Sequence, residues 1–246
     1  MAEIVDVAPE LAAKIDRLYN AALKDDKTIV RLGTKLQKEP LSASEIRTLS
    51  ERLGRHASDA LREVLTPEAL PDGRVYWNIA ERTIKPMLEK VYATENAVQT
   101  ASQLLLDKKN GINVAISKGI DPTDRINEVL NFAVNSTTGE QISNALNDPV
   151  KTTALDFLDD FKKANAEIRN GLGFKQTVVR EYDGVGLANG RRPCNWCIGR
   201  AGTWTYQEAI DHGVFERHTG CGCTIEVISS DEVTNEEYTA TEDIPF

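Results

Sequence analysis

Cysteine is absent from the first 193 residues of this 246-residue sequence, and all four cysteines lie within one 30-residue window near the C-terminus. No run of about 18 apolar residues occurs, so no membrane-spanning helix is expected. The N-terminal segment is acidic and amphipathic, without the basic and apolar blocks of a signal peptide. We therefore expect a cytosol-like compartment, in which thiols stay reduced and disulfides are disfavoured.

Basic residues are also in short supply. The chain has 29 Lys and Arg against 38 Asp and Glu, which gives a formal net charge of -9. This balance argues against general electrostatic attraction to nucleic acid or to an anionic membrane. Any DNA contact must therefore be local and weak.

The cysteines form the pattern Cys194-x-x-Cys197 followed by His218-x-x-Cys221-x-Cys223. A tight turn between two cysteines directs both thiolates at one ion, and a second group of soft ligands completes a tetrahedral shell suited to Zn²⁺. Five candidates compete for four positions, and His218 could replace either Cys221 or Cys223. The alternatives are two disulfides or four ordinary buried thiols. A closed, cysteine-rich shell indicates a structural ion rather than a catalytic one.

Hydrophobic periodicity predicts an α+β fold with a mostly helical N-terminal region, residues 1–173. Helices are expected near residues 42–64, 76–109, 121–135 and 150–170, the first of them opened by a capping box from Ser42 to Glu45. Near the N-terminus an apolar stripe is interrupted at Asp25, which predicts one bent helix or two short ones. The stripe consists of Leu11, Ile15, Leu18, Ala22, Ile29, Leu32 and Leu36.

Strand-forming residues dominate after residue 174 and predict a small β-rich metal module over residues 174–228. Strands are expected at 177–182, 203–206 and 223–228, with one helical turn at 207–212. The glycine-containing stretch 184–190 is interpreted as a turn rather than a phosphate-binding loop. Residues 229–246 carry six acids and no Lys or Arg, the composition of a solvated tail.

A catalytic function is not expected. His212 and His218 invite comparison with His-Asn-His nucleases, but the required Asn is missing and His218 is better used as a metal ligand. His56 lies on or beside an apolar helix stripe and is interpreted as a packed side chain. Four arginines near the cysteines, interleaved with Trp196 and Trp204, predict at most a modest basic patch: Arg191, Arg192, Arg200 and Arg217.

Three features resemble the C-terminal signature of the phage Mu F-like minor head proteins, also called the phage head morphogenesis family. They are the cysteine pattern, the Gly-Thr-Trp-Thr-Tyr stretch from Gly202 and the run from His218 to Thr224. The resemblance is strongest over residues 174–228. Many members of this family carry Pro, Asn and Arg where this sequence has Thr219, Gly220 and Gly222.

This resemblance implies a minor capsid protein of a tailed phage or prophage, associated with the portal or the major capsid protein and with DNA packaging or ejection. It also implies a virion location, after assembly in the bacterial host cytoplasm. The N-terminal stripe suggests docking on such a partner or self-association. A zinc-dependent nucleic-acid-binding module, or a phage nuclease, is the alternative.

Overall fold

The structure, a computed structural model, describes residues 6–182 and 194–230. It confirms the predicted α+β class, with a mostly helical body and a small antiparallel sheet near the C-terminal end of the described chain. The elements are α1 (Ala8–Asp25), α2 (Lys27–Leu36), α3 (Ala43–Val64), α4 (Trp77–Asn110), α5 (Thr123–Val134), α6 (Gly139–Ala145), α7 (Asp148–Gly171), β1 (Lys175–Glu181), α8 (Asn195–Ile198), β2 (Gly202–Thr205), α9 (Tyr206–Asp211) and β3 (Thr224–Ser230).

The predicted turn at 184–190, Arg191 and Arg192 lie outside the described residues, as does the predicted tail from residue 231 onward. Helix α6 has no counterpart among the predicted helices, because seven residues are too few to show a periodic apolar stripe. It begins where the Thr138 side chain accepts a hydrogen bond from the Gln141 backbone N–H.

The N-terminal stripe forms two helices, and Asp26 separates them. Its side chain caps α2 by accepting hydrogen bonds from the backbone N–H groups of Thr28 and Ile29, at 2.9 and 3.2 Å. Its other oxygen lies 2.8 Å from both Arg52 Nη1 and His56 Nε2. Burial alone would raise the pKa of Asp26, but these hydrogen bonds lower it overall. His56 thus supports the corner between α1 and α2.

The same stripe packs inside the helical body. Leu11, Ile15 and Tyr19 of α1 are buried, and so is Leu32 of α2. Helix α1 lies against α3 and α4, which supply the other side of this core. The stripe by itself therefore gives no reason to require a partner protein, and docking through these helices stays a prediction.

The buried face of α4 changes character along its length. The first half of α4 buries mainly apolar residues, up to Val91. The second half buries Glu95, Asn96 and Gln99, and its last buried residue is Asp107. Asp107 forms an ion pair of 2.6 Å with Arg169 of α7, and both side chains are almost fully buried. The polar half of α4 thus faces the part of the fold that carries the C-terminal module.

The sheet has the strand order β2-β1-β3, with both pairings antiparallel. Because side chains alternate across a strand, β1 directs Gln176, Val178 and Arg180 to one buried face. Val178 packs with Ala166 of α7 and with Ile225 of β3 in a small second core. Helix α7 therefore contacts both the helical core and the sheet. The predicted boundary between the helical region and the metal module, residue 173, lies close to the end of this helix.

No helix among the described residues is both long and apolar enough to cross a bilayer.

Glu95 is the most anomalous side chain of the polar half of α4. It is 1% exposed, and burial raises the pKa of its carboxyl well above the usual range, with a smaller contribution of the same sign from Asp159. The Ser50 hydroxyl, Lys162 and Arg217 act in the opposite direction. The balance keeps a proton on Glu95 in the folded chain at pH values where the unfolded chain has lost it.

We expect Glu95→Gln to stabilise the fold at neutral and alkaline pH. Because the folded-state pKa lies above the unfolded value of 4.5, the wild-type free energy of unfolding falls as pH rises from 4.5 through the folded-state pKa. The neutral amide removes this dependence. Urea unfolding from pH 5 to 9 measures it, with Glu89→Gln, an exposed glutamate of the same helix, as the control. A substitution at Glu95 that destabilises the chain equally at every pH would contradict this account.

Candidate metal centre

Cys194 and Cys197 are brought together by the short helix α8. Cys194 is its N-cap and Cys197 lies within its single turn, so both sulfurs point to the same side. Backbone hydrogen bonds from Gly199 and Ala201 to residues of this turn close it. The Cys-x-x-Cys spacing therefore forms the knuckle that the sequence predicts.

His218 and Cys221 are joined by a second tight turn. The Cys221 backbone N–H donates to the His218 carbonyl at 2.9 Å, and Gly220 adopts a left-handed conformation with φ of 77°. A residue with a β-carbon is strained in this region, and Asn is the type that tolerates it best after Gly. We call residues 218–223 the ligand loop. It leads directly into β3.

All five predicted ligands meet at one place. The ligand atoms form two overlapping groups, one of Cys194, Cys197 and His218 and the other of Cys197, Cys221 and Cys223, each with its atoms within 4.8 Å of one another. Cys197 belongs to both groups. The chain therefore contains a Cys/His cluster able to bind a metal ion.

The distances within the cluster suit a small tetrahedral ion. Cys197 Sγ lies 3.7 Å from Cys221 Sγ, and His218 Nε2 lies 3.1 Å from Cys197 Sγ and 3.3 Å from Cys194 Sγ. With Zn–S bonds of about 2.3 Å and a Zn–N bond of about 2.0 Å, tetrahedral edges measure roughly 3.8 Å between sulfurs and roughly 3.5 Å between sulfur and nitrogen. The three measured edges are close to these values. Because the ligand atoms form two groups of three rather than one group of four, a zinc ion would have to draw the two groups together.

His218 is oriented as a metal ligand. Its Nδ1 lies 2.9 Å from the Thr219 carbonyl oxygen, which can only accept, so Nδ1 carries the proton and donates. The lone pair is then on Nε2, which faces the sulfurs. A hydrogen bond from the other ring nitrogen is typical of metal-binding histidines. Trp196 packs edge-on against this ring, with the two centroids 5.3 Å apart.

The cysteines are free thiols in a buried setting. Cys197, Cys221 and Cys223 are 1–3% exposed, and Cys194 is half-buried. The hydrogen bond from Cys223, together with Arg217 and Arg180 nearby, lowers the pKa of the Cys221 thiol, whereas burial raises the pKa of the Cys197 thiol. Binding of a metal ion to these thiols would release protons.

A buried ion pair fixes the ligand loop to the helical body. Arg217 Nε donates to Asp159 of α7, and the two side chains are 1% and 0% exposed. Arg217 Nη1 also donates to the Cys223 carbonyl at 2.8 Å and to the Cys221 carbonyl at 3.4 Å. One guanidinium therefore connects α7 to the backbone of two candidate ligands.

Three further side chains of the helical body hold the same segment. Thr152 of α7 accepts from the Gly220 backbone N–H at 2.9 Å. Arg47 of α3 donates to the Gly222 carbonyl and to Thr224, and Lys162 of α7 donates to the Ile225 carbonyl. The backbone of the ligand loop is therefore shaped from outside the metal module.

These supporting residues were not found from the sequence. Arg47, Thr152, Asp159 and Lys162 lie far from the cysteines in the chain and follow no motif. Arg180, which approaches the Cys221 sulfur, is different, because its position could have been noticed from the sequence. It shares the inward-facing register of β1 with Val178, and a charge on that face needs a partner.

The predicted arginine patch is only partly on the surface. Arg217 is buried in the ion pair with Asp159 and cannot contact phosphate. Arg200 stacks on Trp196, with its guanidinium carbon 3.8 Å from the ring centroid, and lies 3.9 Å from Glu216. His212 packs against Trp204, with ring centroids 4.7 Å apart, and belongs to neither ligand group.

Comparisons with protein-family models, with curated proteins and with solved structures gave no match for this chain.

We expect one zinc ion per chain in protein purified under reducing conditions without chelator. His218→Ala should weaken zinc binding strongly, because it removes the nitrogen that faces two sulfurs, and Cys197→Ser should abolish it, because Cys197 belongs to both groups. His212→Ala, which leaves the cluster intact, is the matched control. Elemental analysis and chelator competition measure the outcome. A metal-free wild-type chain would contradict the site.

We expect Asp159→Asn to cost about 3–5 kcal/mol in the free energy of unfolding, because it leaves Arg217 buried and unpaired. Hydrogen exchange should also increase in the ligand loop. The control is Asp160→Asn, whose partner Arg125 is partly exposed and keeps a second acid, Asp156, at 3.3 Å. Equal, small effects of the two substitutions would show that the Arg217 pair does not hold the loop.

Proposed function

We propose that this chain is a minor capsid protein of a tailed phage or prophage, of the head morphogenesis type, with a C-terminal module stabilised by a structural zinc ion. The protein would associate with the portal or the major capsid protein. It would be assembled in the bacterial cytoplasm and carried in the virion.

The burial of the metal cluster carries the structural part of this proposal. Three of its cysteines are almost inaccessible, and the ligand loop is held by side chains of α3 and α7. A catalytic zinc needs an open coordination position and a general base near it. A closed, cysteine-rich shell instead links chain segments and contributes folding free energy.

The motif supports the assignment to the head morphogenesis type. The knuckle from Cys194 to Cys197, strand β2 and the ligand loop follow one another as in the resembling signature. The loop differs from many members at Thr219, Gly220 and Gly222, which stand in place of Pro, Asn and Arg. The left-handed backbone at Gly220 accounts for the second of these differences, because Gly and Asn are the two residues that adopt it most readily.

A nucleic-acid-binding module is the second candidate, favoured by the stacked pair of Arg200 and Trp196 beside the metal cluster. With Arg217 buried, few cations remain for phosphate contacts among the described residues of the module. Binding through them would be weak, independent of sequence and lost as salt rises. Submicromolar DNA binding that persists at physiological salt would favour this candidate.

Head incorporation tests the main proposal. The chain is produced together with the portal and major capsid proteins of a genome that encodes it, and purified heads are analysed by quantitative mass spectrometry. We expect a few copies per head, and a sharp reduction for Cys197→Ser, because the metal module would lose its support. His212→Ala should be incorporated normally.

Exclusion of the wild-type chain from otherwise normal heads would overturn the structural assignment. Metal-dependent nicking of plasmid DNA by the purified chain would replace it with the nuclease alternative.

A further inference from the structure

Arg180 is a buried cation without a carboxylate partner. Its side chain is 1% exposed, and it forms no ion pair with the part of the chain that the structure describes. Nη1 donates to the backbone carbonyls of Val214 and Glu216, the latter at 2.7 Å, and Nη2 lies 3.4 Å from Cys221 Sγ. The Trp196 ring, 5.1 Å from the guanidinium carbon, adds a cation–π contact. None of these partners carries a full negative charge, so a negative charge nearby would stabilise the buried guanidinium.

The metal cluster is the nearest source of that charge. A divalent ion bound by four thiolates forms a centre with a net charge of −2. With three thiolates and one neutral histidine the net charge is −1, and with two thiolates and two histidines it is zero. Arg217, the other cation that reaches Cys221 Sγ, at 3.8 Å, is already neutralised by Asp159. Of the two cations that reach Cys221 Sγ, Arg180 is therefore the one whose charge no carboxylate of the described residues balances. A centre of three thiolates and one histidine matches it.

The contacts also select among the cysteines. Arg180 and Arg217 both approach Cys221 Sγ, which favours Cys221 as a thiolate. Arg180 also interacts with the Cys223 side chain. Cys221 Sγ is 3.7 Å from Cys197 Sγ, and His218 Nε2 joins Cys197 to Cys194. These contacts link four ligand atoms through Cys197, which belongs to both groups of three, so an ion must draw Cys221 towards Cys194 and His218. Cys223 adds a fifth sulfur that a tetrahedral ion does not need.

We propose that the ion is held by Cys194, Cys197, His218 and Cys221, that the centre carries one net negative charge, and that Arg180 is the positioning residue that balances it. Cys223 supports the centre without binding the ion. This inference rests on the metal centre proposed above and assigns its ligand set and charge.

Replacing Arg180 with methionine tests the charge balance. Arg180→Met should raise the zinc dissociation constant by about 10–100-fold, the usual effect of removing support for metal ligands. Arg200→Met is the matched control, because Arg200 stacks on the same Trp196 ring but has no contact with a cysteine sulfur. It should change the constant by less than about threefold. Chelator competition on the full chain provides both values.

A charge-retaining variant keeps the test valid if Arg180→Met does not fold. Arg180→Lys preserves the positive charge without the guanidinium fork. It should bind zinc more tightly than Arg180→Gln, whose side chain is neutral. Equal dissociation constants for the lysine and glutamine variants, or an unchanged constant for Arg180→Met, would overturn the role of Arg180.

The ligand set has its own readout. Cys223→Ser should keep one ion per chain, and its cobalt-substituted form should retain the thiolate charge-transfer intensity of the wild type. Cys221→Ser should lose the ion or a third of that intensity. Loss of the ion from Cys223→Ser, or a wild-type cobalt spectrum of four thiolates, would overturn the assignment. A wild-type chain that binds no metal would instead refute the centre itself.

Discussion

The buried ion pair between Arg217 and Asp159 is the interaction on which the rest of the C-terminal architecture depends. Both groups are removed from water, so the pair is stable only because further hydrogen bonds use the remaining guanidinium donors. Those donors bind the carbonyls of the ligand loop. The same contact that neutralises a buried charge on α7 therefore sets the backbone from which the cysteines project.

This constraint explains why the parts of α3 and α7 that meet the ligand loop carry polar side chains. An all-apolar interface would pack two helices, but it would leave the carbonyls of an irregular loop without donors. The body instead presents Arg47, Thr152 and Lys162 to the ligand loop and the start of β3. Burial leaves Glu95 protonated, with a smaller contribution from Asp159. The metal module and the helical body have separate apolar cores, yet polar contacts join them.

A metal ion bound at this cluster would cross-link three segments: the knuckle of α8, the ligand loop and, through Arg180, strand β1. Each segment alone is short and buries little apolar surface. The ion would supply the stability that the small second core lacks, as in other modules too small to fold without metal. A particle component that must persist without repair would gain from this arrangement, which agrees with the proposed role in a phage head.

The sequence alone determined the local features: the fold class, the break near Asp25, the capping box at Ser42 and the five candidate ligands, because each depends on residues close together in the chain. Only the tertiary structure decided the rest. It packed the N-terminal stripe inside the body, buried Arg217 instead of exposing it, and brought Asp159 and Arg180 to the ligand loop. These outcomes depend on contacts between distant segments, whose charge and hydrogen-bond requirements leave no periodic pattern in the sequence.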